Sequence, residues 1–284
     1  MRWWVVGAGG MLGRDLVDVL RSVGEDVVAA DRGVVDVTDP SSVDTALAAV
    51  GDLQVVVNCA AWTAVDDAEA QESSAFAVNA VGPQVLARAA AARGARMVQV
   101  STDYVFDGAA TKPYAADGVL APRSAYGRTK AAGEWAVRAA TPDHLVVRTA
   151  WLYGEHGPSF PRTIARLLRE RGGVDVVADQ VGQPTWTRDL AELVHRLVVA
   201  DAPSGTYHGT SSGRASWFEL AQEVARVVDV PVDAVRPTTS EAFVRPAPRP
   251  AWSVLSHDTL RSVGVDPIGD WRQRWRLAAP DIVG

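Results

Sequence analysis

A glycine-rich turn near the start of the chain constrains its fold more than any other feature. An apolar run, Arg2 to Val6, leads into the turn Gly7 to Gly13 (GAGGMLG), and an amphipathic helix is predicted to follow. Gly7 permits a tight turn, Gly10 lets the backbone approach a pyrophosphate, and Gly13 allows close packing of helix on strand. This order of strand, turn and helix predicts a dinucleotide-binding unit. The alternative is a glycine-rich turn that binds nothing.

A second predicted strand, Asp26 to Ala30, ends beside Asp31. A carboxylate at this distance from the glycine turn suits the ribose 2′-hydroxyl of adenosine, and it favours NAD because it would repel a 2′-phosphate. Arg32 follows directly and would attract that phosphate. We therefore expect the chain to use both NADH and NADPH. Asp36 is a further candidate for contact with adenine, with a plain turn residue as the alternative.

Strands and helices alternate through about residue 150, which predicts an α/β fold with a doubly wound parallel sheet of the Rossmann type. The alternation then becomes less regular, and we expect a smaller α+β domain for substrate binding. The predicted domains are residues 1–150 for the dinucleotide and 151–284 for the substrate. Part of 175–205 is a candidate to pack back onto the first domain.

Tyr126 and Lys130 are four residues apart and would lie on one face of a helix. A close positive charge would lower the pKa of the phenol from its ordinary value of about 10, as a proton donor near neutral pH requires. A predicted strand that ends at Thr102 would bring a hydroxyl to the same place. A tyrosine and a lysine at this spacing also occur together by chance, so this interpretation depends on the glycine turn upstream.

Composition and charge argue against several classes of protein. The net charge is −6 and no long basic run is present, so we expect no binding to nucleic acid. No apolar run reaches about 18 residues, so we expect neither a membrane span nor a signal peptide. The single cysteine, Cys59, excludes an internal disulfide framework and fits a reducing compartment, which favours a cytoplasmic location. Cys59 lies in an apolar strand, where packing is the expected role.

Longer strings in the sequence resemble one family, the dTDP-4-dehydrorhamnose reductases of the extended short-chain dehydrogenase/reductase superfamily. These strings are Asn58–Glu69 (NCAAWTAVDDAE), Arg148–Gly157 (RTAWLYGEHG), Asp179–Leu190 (DQVGQPTWTRDL) and Arg245–Leu255 (RPAPRPAWSVL). The resemblance implies that the C4 ketone of dTDP-4-dehydro-6-deoxy-L-mannose is reduced with a nicotinamide hydride to give dTDP-L-rhamnose.

The resemblance also implies roles for individual residues. Cofactor contacts fall on the glycine turn, the adenosine end and the end of the third strand, namely Gly10, Met11, Leu12, Asp31, Asp36, Val37, Ala61, Trp62 and Thr63. The catalytic group is Thr102, Tyr126 and Lys130, in which the tyrosine protonates the alkoxide and the lysine holds the nicotinamide ribose and favours the tyrosinate.

Substrate contacts are implied for Thr102, Asp103 and Trp151, although core packing is an alternative for the tryptophan. Arg245 and Arg249 lie in a proline-rich loop and are candidates for the substrate diphosphate, because a guanidinium matches phosphate oxygens. Surface solvation or an internal ion pair is the alternative for these two arginines.

The sequence departs from the family at two positions and leaves some properties open. Asp67 stands where the family commonly has a lysine, and Trp62 where it usually has tyrosine or histidine. The resemblance implies magnesium in some members, at a subunit contact, but no ligand in this chain is assigned to it. A homodimer is a further expectation.

Two other functions remain open from the sequence. One is the reduction of a different dTDP-4-keto-6-deoxysugar in an antibiotic pathway, for which the motifs would be nearly identical. The other is a non-catalytic, NADP-binding regulatory subunit. The presence of both Tyr126 and Lys130 argues against the regulatory function.

Overall fold

A computed structural model describes residues 1–284, and its centre is a six-stranded parallel sheet. The strands are β1 (Arg2–Val6), β2 (Asp26–Ala30), β3 (Val55–Asn58), β4 (Arg96–Thr102), β5 (His144–Thr149), β6 (Leu152–Tyr153), β7 (Val174–Val177), β8 (Val181–Gly182), β9 (Thr185–Trp186), β10 (Gly205–His208), β11 (Ser211–Ser212), β12 (Ala215–Ser216), β13 (Val235–Thr238) and β14 (Ile268–Asp270).

The α-helices are α1 (Met11–Ser22), α2 (Pro40–Ala48), α3 (Val65–Ala70), α4 (Glu72–Phe76), α5 (Gly82–Ala92), α6 (Ala125–Ala140), α7 (Phe160–Arg171), α8 (Thr187–Val199), α9 (Trp217–Val227), α10 (Asp258–Ser262) and α11 (Trp271–Val283). A π-helical turn, Ala77–Val81, joins α4 to α5. Short 3₁₀ turns cover Asp103–Val105 and Val232–Ala234. No helix is long and apolar enough to cross a bilayer.

The strand order of the central sheet is β2-β1-β3-β4-β5-β10. From β1 the chain adds β2 on one side, then crosses over and adds β3 and β4 on the other side. The direction in which the sheet grows therefore reverses between β1 and β3, which are neighbours. In open parallel sheets, ligands bind outside the carboxyl ends of the strands at such a reversal. The predicted doubly wound parallel sheet is confirmed, and its topology indicates where a ligand should lie.

Helices cover both faces of this sheet, as the near-continuous apolar character of the strands requires. On one face, Leu16, Leu20, Leu193 and Leu197 bring α1 and α8 onto the sheet in one buried cluster. A second cluster, on the other face, includes residues of α2, α5 and the end of α6. Because helices cover both faces, the sheet is open to a ligand only at its edges, and the site residues lie at the carboxyl edge.

The sixth strand of the sheet comes from the later part of the chain. Residues 205–208 of β10 pair in parallel with residues 145–148 of β5, and α8 packs against α1. The segment that includes α8 and β10 therefore belongs to the layers of the central sheet. The boundary at residue 150 stays a prediction.

A separate buried cluster holds together the remaining elements of the later chain. It joins α7, α9 and α11 with the paired strands β7 and β13, and its large members include Tyr153 and Trp275. This smaller α+β assembly is connected to the sheet through the segment that follows β5. Phe160 and Trp217, which begin α7 and α9, line the cleft described next.

Candidate active site

Two adjoining cavities form a cleft along the carboxyl edge of the sheet. One, of about 830 Å³, lies between the glycine turn and the end of β2, and the other, of about 1000 Å³, extends over the ends of β4 and β5. Gly9, Gly10, Cys59, Ala60 and Ala61 line both cavities, so the two are continuous. A cleft of this length suits an extended ligand such as a dinucleotide with a second molecule beside it.

The glycine turn has the shape that a pyrophosphate needs. Gly7 has φ +80, and a Cβ there would lie 2.5 Å from the Ala60 amide nitrogen. A Cβ on Gly13 would overlap the carbonyl oxygen of Gly7. No side chain caps the N-terminus of α1, so its first N–H groups point towards the cleft without a protein partner. This is a ready anion-binding site, to which Gly10, Met11 and Leu12 contribute as lining residues.

The end of the cleft beside β2 is lined by Asp31, Arg32, Asp36 and Val37, and their predicted contact with adenosine stays a prediction. Asp31 Oδ1 accepts a hydrogen bond from the Gly33 amide at 2.9 Å. Asp36 Oδ1 accepts from the backbone N–H and the hydroxyl of Thr38, and these bonds hold the pKa of the Asp36 carboxyl below its usual value. Each carboxylate is thus oriented by hydrogen bonds to the residue two positions after it, while Arg32 is exposed.

The segment after β3 carries the inner lining residues Ala61, Trp62 and Thr63. Asn79, in the π-helical turn, holds this segment in place: its Oδ1 accepts from the Trp62 amide at 2.8 Å and its Nδ2 donates to the Trp62 carbonyl at 3.1 Å. The same Nδ2 donates to the hydroxyl of Thr129 on α6 at 3.1 Å. Asn79 therefore couples the cofactor side of the cleft to the helix that carries the tyrosine.

Thr102, Tyr126 and Lys130 line one wall of the larger cavity, together with Gly10 of the glycine turn. The side chain of Thr102 lies near enough to the phenol of Tyr126 to lower the pKa of that phenol. Lys130 is buried, and its Nζ donates to the Val100 carbonyl at 2.7 Å. The structure thus brings together the three residues that the sequence placed at the carboxyl end of the sheet.

The predicted lowering of the Tyr126 pKa is wrong. Burial raises the pKa of Tyr126 to about 12, although the neighbouring Thr102 side chain lowers it, and the negative charge of Asp103 adds to the increase. The spacing of the two residues indicates that Lys130 is near Tyr126 on the helix. It does not indicate that a phenolate in this cavity would lose its hydration, which raises the pKa. The phenol consequently keeps its proton at neutral pH, as a proton donor must.

Asp103 is buried beside the threonine, and burial raises the pKa of its carboxyl to about 6. The Thr102 hydroxyl donates to Asp103 Oδ1 at 2.9 Å and accepts from the Tyr104 amide at 3.2 Å. Protonation of Asp103, or rotation of the threonine hydroxyl, would release the Thr102 hydrogen for another acceptor in the cavity.

Trp151 lines the larger cavity with an unusual backbone conformation, φ 48. Its indole stacks on that of Trp217, with ring centroids 3.6 Å apart and an interplanar angle of 7°. A Cβ on Gly182 would lie 2.5 Å from the Trp151 ring, so the backbone of Gly182 also packs closely against the indole. The tryptophan predicted for the substrate is thus held in a slot at the junction of the sheet and the smaller assembly.

Arg245 and Arg249 do not line the larger cavity. Arg249 Nη2 lies 2.9 Å from Asp66 Oδ2, and Arg245 Nη1 lies 3.8 Å from the same oxygen. Arg249 does line a neighbouring cavity of about 270 Å³, which shares Tyr104 with the larger one. The arrangement is the internal ion pair that the sequence left as the alternative, and the assignment of these arginines to a diphosphate stays a prediction.

Other lining residues have no sequence signal. Phe160 and Trp217 begin α7 and α9 and reach the cavity only because those helices fold back to it. Asp67, at the position where the family commonly has lysine, is exposed on α3. No group of three or more His, Cys, Asp or Glu side chains is arranged to hold a metal ion.

A parallel sheet with a glycine turn, together with a Thr/Tyr/Lys group at its carboxyl edge, defines an extended short-chain dehydrogenase/reductase. A family model described as the RmlD substrate binding domain matches residues 1–281. The chain accordingly belongs to the family that this model describes.

Similar proteins extend over the full length of the chain. A probable dTDP-4,6-dihydroxy-2-methyloxan-3-one 4-ketoreductase of Streptomyces antibioticus is 52% identical, covering 100% of this chain and 96% of the relative. A dTDP-4-dehydrorhamnose reductase of Streptomyces griseus is 47% identical, covering 100% and 94%. The crystal structure of dTDP-4-dehydrorhamnose reductase from Bacillus anthracis, in complex with NADP, is 35% identical with a TM-score of 0.94, covering 99% of each chain.

Proposed function

We propose that this protein reduces the C4 ketone of dTDP-4-dehydro-6-deoxy-L-mannose with a nicotinamide cofactor and releases dTDP-L-rhamnose. The observation that carries this proposal is the convergence of Thr102, Tyr126 and Lys130 on a cavity that continues to the glycine turn. The name of the Streptomyces griseus relative, similar over the whole of this chain, supports the choice of substrate.

The residues of this chain would divide the work as follows. A bound nicotinamide supplies the hydride to C4. Tyr126 gives its proton to the developing alkoxide, and the high pKa of the buried phenol keeps that proton available. Thr102 donates a hydrogen bond to the same oxygen and orients the ketone. Lys130 holds the nicotinamide ribose, and its ammonium stabilises the tyrosinate left by proton transfer.

The rest of the substrate would extend from C4 towards the proposed substrate domain, residues 151–284. Trp151 is stacked on Trp217 and lines the cavity, where the uncovered part of its indole would contact the sugar ring or its methyl group. The nucleotide would reach the proline-rich loop, where its diphosphate would compete with Asp66 for Arg249. A guanidinium donates hydrogen bonds to either partner, because carboxylate and phosphate present similar pairs of oxygen atoms.

The test of this proposal is product identification. The purified protein is incubated with NADPH and dTDP-4-keto-6-deoxyglucose, with and without a 3,5-epimerase. We expect NADPH oxidation and dTDP-L-rhamnose only with the epimerase present, because the epimerase makes the L-configured ketosugar. Binding of NADPH without turnover of any ketosugar would instead point to the non-catalytic regulatory role.

A second candidate function is the reduction of another dTDP-4-keto-6-deoxysugar. It is favoured by the relative from Streptomyces antibioticus, at 52% identity, whose name describes a ketoreductase for a different dTDP-sugar. Thr102, Tyr126 and Lys130 would act in the same way on either ketone. Product formed without the epimerase, at a rate equal to or above the rate with it, would favour this function.

The use of both cofactors gives a further prediction. Asp31 favours the 2′-hydroxyl of NADH and the exposed Arg32 favours the 2′-phosphate of NADPH. We expect the ratio of kcat/KM for the two cofactors to stay below about 1,000-fold in either direction, about 4 kcal/mol. Arg32→Ala should lower kcat/KM for NADPH and leave that for NADH nearly unchanged. An equal loss for both cofactors would contradict the assignment of Arg32.

The magnesium requirement, the homodimer and the cytoplasmic location stay predictions. Activity assays with EDTA and sedimentation of the purified protein address the metal and the dimer.

A further inference from the structure

A buried ion network lies directly behind the catalytic helix. Glu134 is fully buried on α6, one turn after Lys130. Its Oε1 accepts from Ser101 Oγ at 2.6 Å and from Arg148 Nε at 2.8 Å. Its Oε2 accepts from Arg148 Nη2 at 2.8 Å and from Arg138 Nη2 at 3.2 Å. Four hydrogen bonds therefore converge on one carboxylate that has no contact with solvent.

This network ties together the elements that carry the catalytic group. Tyr126, Lys130 and Glu134 follow one another at intervals of four on α6, so they share one helix face. Ser101 directly precedes Thr102 on β4, and Arg148 is its register partner on β5. Fixing Glu134 to both strands consequently fixes the distance between the helix with the phenol and the strand with the hydroxyl.

Stability alone is a weak reason for such an arrangement. Removing a carboxylate and a guanidinium from water costs several kcal/mol per ion, and well-packed apolar residues of similar volume are often as stable or more so. Arg148 is only 1% exposed and also donates to the Ala116 carbonyl at 2.9 Å, so the network is buried and well bonded. Its placement next to the active-site lysine suggests a role in the charge of that lysine.

We propose that Glu134 is a positioning residue that keeps the Lys130 ammonium charged and holds its helix in register with the strand of Thr102. The proposal deepens the proposed reductase function and rests on it for its catalytic meaning. The physical claim about the charge of Lys130, however, can be tested without any turnover.

The surroundings of Lys130 contain few other charges. Burial lowers the pKa of Lys130 to about 8, and Glu134 is the first of the groups that raise it. Cys59 faces the ammonium from the end of β3, but burial raises the pKa of this thiol to about 12, so it stays neutral. On α6, Tyr126 is likewise neutral, and β4 presents only the Val100 carbonyl as a hydrogen-bond partner. Arg148 of β5 forms an ion pair with Glu134, and Glu134 in turn is the residue that acts on Lys130.

The sign of the effect follows from these charges. The charged form of Lys130 is lost as pH rises through about 8. Removing the negative charge of Glu134 leaves burial unopposed, so the ammonium would lose its proton at lower pH. Removing Arg138, a cation that partly neutralises Glu134, would have the opposite effect and move the titration to higher pH.

The chain offers an unusually direct measurement, because it contains only two lysines, Lys112 and Lys130. Protein labelled with ¹³C at lysine Cε should give two NMR signals, and Lys112→Arg assigns them. We expect Glu134→Gln to move the titration of Lys130 down by about one pH unit and Arg138→Met to move it up by a few tenths. Ser101→Ala, which removes one hydrogen bond to Glu134 and no charge, should move it by less than either.

The outcomes separate the proposal from its alternatives. If Glu134 is structural only, Glu134→Gln and Ser101→Ala lower the melting temperature while the Lys130 titration stays in place, and the proposal is overturned. If Glu134→Gln does not fold, Arg138→Met decides, because the Arg138 side chain is one-third exposed and methionine fills most of its space. The Kd of NADPH across the same pH range should shift with the titration, whatever ketosugar the protein reduces.

Discussion

Tyr126→Phe should lower kcat by about 10²- to 10⁴-fold, because the variant loses the group that protonates the alkoxide. The phenol is buried with a pKa of about 12, so it carries its proton throughout the neutral range and the substitution removes a true donor. Phenylalanine preserves the ring contacts, including the edge-on packing against Tyr104 at 5.6 Å between centroids. The loss should therefore appear in kcat with little change in the Kd of NADPH.

The matched control for this variant is Tyr104→Phe. Tyr104 lines the same cavity, and burial raises its pKa as well, but it is not on the helix with Lys130. We expect its kcat to stay within about threefold of the wild type, less than 1 kcal/mol. Retention of activity by Tyr126→Phe within the same range would show that another group supplies the proton.

Gly13→Ala should weaken NADPH binding by more than about tenfold, a loss above 1.4 kcal/mol. The added Cβ would overlap the Gly7 carbonyl oxygen and would lie 2.8 Å from Ala8 Cα, and both of these are backbone atoms. Helix α1 would have to move away from the turn, so its N-terminal N–H groups would no longer meet a pyrophosphate. Overpacking of this kind also costs about 1–3 kcal/mol of stability. Fluorescence titration and thermal unfolding measure the two effects.

Gly205→Ala is the control for the added methyl group itself. Gly205 begins β10 in the same sheet, and a Cβ there meets its nearest neighbour, the Pro203 carbonyl oxygen, at 3.9 Å, an ordinary contact. Its Kd for NADPH should match the wild type. Equal Kd values for Gly13→Ala and the wild type would mean that the cofactor does not approach this turn.

The fold and the proximity of Thr102, Tyr126 and Lys130 could be predicted because their signals are local. The geometry of the glycine turn can be predicted from its sequence, since only glycine fits at Gly7 and Gly13. The spacing of Tyr126 and Lys130 reports a helix face directly. Alternation of apolar strands and helices predicts a parallel sheet covered by helices, and the glycine turn favours the open, doubly wound form of it.

The remaining features depend on contacts between distant parts of the chain. The Tyr126 pKa follows from burial, which spacing does not report. Asn79 lies 50 residues before Thr129, and nothing in a polar residue within a helix indicates that partner. Arg249 carries the same charge whether it meets a phosphate or Asp66, and only the fold places the carboxylate 2.9 Å away.

The pairing of β10 with β5 has a consequence for how the protein is made. When synthesis has passed residue 150, the N–H and C=O groups along one edge of residues 145–148 still lack their neighbour. The surface of α1 that α8 later covers is also exposed to water at that stage. The nucleotide-binding half therefore cannot reach its final form on the ribosome until some sixty further residues have emerged, so its folding waits for a segment encoded well downstream.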